Sequence, residues 1–142
     1  MKGCVYMRKL LLETQKLEHS LNKLNYYIES NPNRYDSLLI DAVIKRFEIT
    51  FQLLCKTFRI YFLIKGLDLH YPNDLLKEAY LGDFLDDEIM WLRMFQDMTI
   101  AGFSYDDELA NAFFKRIIEY IPALTKTAAK ISKIAFEISF DA

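Results

Sequence analysis

Glycine and proline are scarce in this 142-residue chain, at four and three residues. That leaves too little turn chemistry for an all-β fold with its many tight connections. Cysteine is limited to Cys4 and Cys55, which are too far apart to form the closely spaced ligand pair of a zinc site or a redox motif. Cys4 reads as a thiol at a fraying end and Cys55 as a buried one. Histidine is equally thin: His19 and His70 stand alone, outside any Glu-x-x-His pattern of the kind that di-iron bundles use. A phosphate-cradling glycine loop, a nucleophile elbow and a zinc-protease motif are all missing. No metal and no cofactor is therefore expected.

One-sided charge is missing too. Eighteen basic residues nearly balance twenty acidic ones, so no large field drives binding to nucleic acid, and any RNA contact has to be local. The most apolar stretch, Ile49 to Ile64, is interrupted by Lys56 and Arg59 and falls short of the roughly 20 residues of a membrane span. Near the start, Leu10, Leu11 and Leu12 are followed by Glu13 and Lys16, so no signal-peptide core forms. The expectation is a cytoplasmic protein without a membrane partner.

What is abundant is apolar and aromatic: 52% hydrophobic residues, with eleven Phe and nine Tyr. The length suits one domain, 1–142, with a core of real size. Leu10, Leu17, Leu21, Leu24 and Ile28 recur in steps of three and four, broken only at Thr14, and predict one helix with one buried stripe. Lys9, Glu13, Lys16, Glu18 and Lys23 are expected off that stripe. Ser30-Asn31-Pro32-Asn33 should end this helix. A second begins near Asp36 or Ser37 and carries Ile40, Ile44, Phe47, Phe51, Leu54, Phe58 and Tyr61, widened by Leu39, Val43, Leu53 and Phe62. Such a helix needs neighbours on several sides. Its narrow polar line, Asp41, Lys45, Glu48, Gln52, Lys56 and Arg59, reads either as a solvated face held by pairs such as Asp41 with Lys45 or as a strip facing a partner or ligand.

Gly66 should end the second helix, Pro72 open a short one and Gly82 close it. A fourth is predicted from about Asp86 to Gly102, with Asp83, Asp86, Asp87 and Glu88 complementing its positive end. The last starts near Ser104 to Asp107 in a weak capping box. Its heptad seam runs Ala110, Phe114, Ile117, Ile121, Leu124, Ala128, Ile131, Ala135 and Ile138, and Pro122 should kink or split it. The expected fold is an all-α, antiparallel up-down bundle of four long helices and one short one.

The run Asp41-Ala42-Val43-Ile44-Lys45-Arg46-Phe47-Glu48 resembles the signature of the nucleotidyltransferase substrate-binding proteins, a branch of the HEPN superfamily. Lys56, Pro72, Glu78-Ala79, Trp91-Leu92, Asp97 and Tyr105-Asp106 follow in matching order, so the resemblance spans the first helix to about Tyr120. It implies a homodimer that pairs with a separate small nucleotidyltransferase and does not itself transfer nucleotides. Active relatives in the wider superfamily carry a ribonuclease motif in which Arg can hold the scissile phosphate and His can move a proton. Aligned on Asp97 and Tyr105, this chain has Met98 at the Arg position, Thr99 where Asn is usual and Phe103 at the His position. Neither Met98 nor Phe103 offers charge or exchanges a proton, so the motif is degenerate. Arg93, about one turn upstream, would approach from another face. Gln52 and Cys55 also depart from the Glu and Trp common in relatives.

The resemblance makes Arg46, Glu48, Lys56, Asp97 and Tyr105 the candidates for partner or substrate binding, with no catalytic residue. Arg46 sits off the polar line and reads equally as a snorkelling side chain with a local Glu partner. Tyr105 corresponds to a tyrosine that the partner enzyme nucleotidylates in some toxin–antitoxin relatives, or simply packs where the last helix begins. Two other functions compete with the non-catalytic subunit: a HEPN-type ribonuclease toxin using non-standard residues, and a structural or ligand-binding bundle whose Phe and Met residues line a pocket.

Overall fold

The computed structural model describes residues 2–31, 36–101 and 106–141, and among them five helices and no strand. In chain order they are α1 (Lys2–Glu29), α2 (Ser37–Ile64), α3 (Pro72–Leu81), α4 (Glu88–Ala101) and α5 (Asp107–Asp141). This is the expected all-α arrangement of four long helices and one short one. No helix among the described residues is long and apolar enough to cross a membrane.

The predicted stripe of α1 is the buried one: Leu10, Leu17, Leu21, Leu24 and Ile28 are all in the core. Thr14 fills the gap in that series and returns its hydroxyl proton to the Leu11 carbonyl at 2.7 Å, so it is buried without an orphaned donor. Glu13 departs from expectation. Instead of lying off the stripe it is buried, and its Oε1 receives Lys16 at 3.1 Å and Lys56 of α2 at 3.3 Å. The physical reason is that α1 packs on both α2 and α5, which widens its covered face beyond one stripe. Ser20 is buried for the same reason. Thr50 gives its only hydroxyl proton to the Arg46 carbonyl at 2.7 Å, so in the 2.7 Å Ser20–Thr50 contact Ser20 is the donor. Ser20 opposite Thr50 and Glu13 opposite Lys56 make α1 and α2 antiparallel.

α2 has the several neighbours its width demands, packing against α1, α3 and α5. Its aromatic face is the centre of the core. Phe47 meets Phe113 edge-on at 5.5 Å and Tyr120 at 5.9 Å, and Phe58 meets Phe84 at 5.2 Å. Lys65 caps its end and Gly66 follows at φ 89, a conformation that L side chains avoid. Pro72 then sits in the first turn of α3, and Gly82 ends it.

The acidic cluster before α4 divides its labour. Asp87 caps the helix by accepting the Met90 N–H at 3.1 Å. Asp86 does not cap. It accepts Lys126 and Lys130 from α5, and those hydrogen bonds hold its carboxyl below the usual range. α4 therefore begins at Glu88, slightly later than the charge pattern suggests. α5 is capped by Asp106, whose carboxylate accepts the Glu108 N–H at 2.8 Å; the expected capping box paired Ser104 with Asp107, and Ser104 lies outside the described residues. The seam of α5 is buried from Phe114 to Ala135, with its ends and Ile121 partly covered. Pro122 does not split this helix, which runs through it unbroken. Pro122 is exposed, and a missing donor is best tolerated on the water-facing side, where solvent satisfies the freed carbonyl.

Phe58→Ala, which empties a fully buried site among aromatic neighbours, is expected to lower unfolding free energy by about 3–5 kcal/mol in urea titrations. Leu38→Ala, at a position 77% exposed, should stay within about 0.5 kcal/mol. Similar losses in both would contradict this core.

Candidate functional site

α4 and α5 are joined by a buried polar network. Asp97 of α4 stands on the inward side of that helix, three residues after the buried Met94, and is 8% exposed. A carboxylate there requires a cation and further donors. Arg116 of α5 supplies both: its Nε donates to Oδ2 and its Nη2 to Oδ1, each at 2.9 Å, in the bidentate fork that only Arg can offer. Tyr120, one turn further along α5, donates its hydroxyl to Oδ2 at 2.6 Å. Donating these hydrogen bonds to Asp97 pushes the Arg116 pKa up, and burial followed by the bond to Asp97 pushes the Tyr120 phenol above its ordinary value. Phe113 lies beneath the guanidinium at 5.8 Å, a cation–π distance. The Arg116 fork is thus committed within the protein.

Beside this network opens a cleft of about 390 Å³ between α2, α4 and α5, within the size range of small-molecule sites. Ile44, Ile100, Leu109, Ala110 and Phe113 give it apolar walls, and Asp41, Lys45, Glu48, Asp97 and Arg116 supply its charges. Among the described residues, three carboxylates face two cations. Lys45 pairs with Glu48 at 3.7 Å and not with Asp41 as the spacing suggested.

The candidate residues distribute unevenly around this cleft. Glu48 and Asp97 line it, whereas Arg46 and Lys56 do not. Lys56 turns instead to Glu13 of α1, and Arg46 is partly buried with its Nε unpaired among the described residues, so the local Glu partner expected for it is not found. The polar line of α2 therefore serves two sides of the bundle. Met98 is half-buried and packs on the core, and Thr99 is exposed with its hydroxyl on the Gln96 carbonyl. Phe103 and Tyr105 lie outside the described residues. Arg93 is exposed and does not line the cleft. The sequence reading missed Arg116 and Tyr120. Their signal was present: an Asp on an inward helical position needs partners, and two donors four apart on α5 share one face.

An all-helical bundle with an apolar-walled, charge-rimmed cleft between three helices is an architecture for binding. The family model described as "Nucleotidyltransferase substrate binding protein like" matches residues 12–133, and the chain belongs to that family. No curated protein matches it significantly.

Tyr120→Phe removes one donor from a buried carboxylate and is expected to cost about 1.5–3 kcal/mol near neutral pH. Because the folded-state pKa of Tyr120 is raised above the ordinary 10.0, the wild-type contribution is complete below pH 10 and falls as pH climbs through the folded value. Stability measured between pH 9 and 11 should decline more steeply in wild type than in Tyr120→Phe; parallel curves would refute the assignment. Burial pushes the Cys55 thiol up to about 12, while Cys4 is exposed. A thiol-disulfide reagent at pH 8 should therefore label one cysteine per chain quickly and Cys55 only on unfolding.

Proposed function

We propose that this protein is a non-catalytic subunit that dimerises, docks a small nucleotidyltransferase and shapes or presents that enzyme's substrate, in the manner of an antitoxin–toxin pair. The observation that carries this reading is family membership over residues 12–133 combined with Met98 at the position of the superfamily's ribonuclease Arg. A thioether packed on the core neither holds a phosphate nor neutralises charge in a transition state. Arg116, a cation lining the cleft, does not replace it, because its Nε–Nη2 edge and its charge are already engaged by Asp97. The balance of three carboxylates to two cations among the described residues of the cleft also disfavours a polyanionic backbone. Glu48, Asp97 and the Arg46 side of α2 are the surfaces proposed to meet the partner or its substrate, together with Tyr105 as a site the partner could modify.

The test is co-expression with a small nucleotidyltransferase encoded beside it, followed by size-exclusion chromatography with light scattering. A complex of defined stoichiometry is expected, and Arg46→Ala should weaken it about tenfold or more without changing the melting temperature. A lone homodimer that ignores the enzyme would defeat the subunit reading. Expression of the chain by itself should leave growth and cellular RNA intact; growth arrest with RNA cleavage would favour the ribonuclease alternative.

A further inference from the structure

The charges around the cleft are not equally available. Arg116 is neutralised by Asp97 at 2.9 Å, and Lys45 leans toward Glu48 at 3.7 Å. Asp41 is the exception: it is exposed at the cleft's edge, and no ion pair or hydrogen bond engages its carboxylate among the described residues. It also borders a smaller adjoining hollow of about 150 Å³ whose other charged lining residue, among the described residues, is Asp107. Negative potential therefore accumulates at one end of a pocket whose walls are Ile44, Ile100, Leu109, Ala110 and Phe113. Low-dielectric walls focus such a potential toward the opening.

We propose that this cleft takes a small organic cation, an amine or guanidine carried on an apolar body, with the Asp41 carboxylate as counter-ion and Phe113 and its aliphatic neighbours receiving the body. An anion of the same shape is rejected, because it would meet Asp41 while the two cations that line the cleft among the described residues are already paired with Glu48 and Asp97. The proposal rests on the substrate-binding reading above and gives that site its ligand class. Neither Arg116 nor Asp97 contacts the ligand's charge in this scheme; they hold α4 and α5 at the spacing that forms the walls.

Three probes of one shape separate the outcomes: 2-phenylethylamine, 3-phenylpropionate and phenyl phosphate, each titrated to about 10 mM, a range that reaches millimolar dissociation constants, into the isolated full chain. The readout is the methyl NMR signals of Ile44, Ile100 and Leu109. The amine should shift all three saturably, with both anions at least tenfold weaker. Asp41→Asn should weaken the amine about three- to fivefold, the range of a solvent-exposed ion pair. Asp68→Asn removes the same charge beyond the far end of α2 and should change nothing. Absence of saturable shifts with the amine, equal binding of phenyl phosphate, or equal weakening by both Asn variants each overturns the proposal. Because no nucleotidyltransferase is present, failure here is distinct from failure of the docking experiment.

Discussion

Asp97 is a carboxylate at 8% exposure, and removing such a group from water costs several kcal/mol unless its oxygens are fully engaged. Arg116 and Tyr120 engage them, with three donors on two oxygens. The geometry that results is restrictive. A bidentate fork fixes the rotation of α4 against α5, and the hydroxyl from the next turn of α5 fixes where along the helix Asp97 must stand. Substituting hydrophobic residues throughout can match such a network in stability, so its consequence is a defined spacing between two helices more than a gain in free energy.

That spacing matters because α4 is the least embedded of the longer helices. Its outward face includes Ile89 and Leu92, both exposed, and the helix it packs on most is α5. At its first end, Asp86 meets Lys126 and Lys130, an exposed pairing of the kind that water and salt screen and that contributes little. At the other, the buried Asp97 network is directional and desolvated. The second tether therefore dominates the position of the α4 end that bears Ile100. Since Ile100 faces Leu109 and Phe113 across the cleft, the walls of the candidate site inherit their separation from one buried carboxylate.

The bundle itself was legible in the sequence wherever packing follows helical periodicity. The α1 stripe, the broad apolar surface of α2 and the heptad seam of α5 all reflect burial that repeats every three or four residues, which spacing reports directly. Glu13 and Asp97 were not legible in this way. Both are charges accommodated inside by partners on other helices: Lys56 for the first, Arg116 and Tyr120, 19 and 23 residues away, for the second. Periodicity along one helix carries no information about which cation lies opposite it. The Asp41–Lys45 expectation failed for a related reason. Lys45 had two acidic neighbours within helical reach, and the cleft draws it toward Glu48, which packing half-buries and where screening by water is weaker.

Met98 stays out of this electrostatic balance: it packs on the core and does not line the α2–α4–α5 cleft. The charge of the rim is set by the residues that do line it. Among the described residues, Arg116 is bound to Asp97 and Lys45 leans toward Glu48, while Asp41 has no such partner. A cleft with apolar walls discriminates between ligands of one shape through whichever rim charge is left unpaired, because an ion of the same sign meets repulsion that the walls do nothing to screen. The bundle thus supplies the walls and their spacing, and specificity is written in the few charges its internal pairing leaves over.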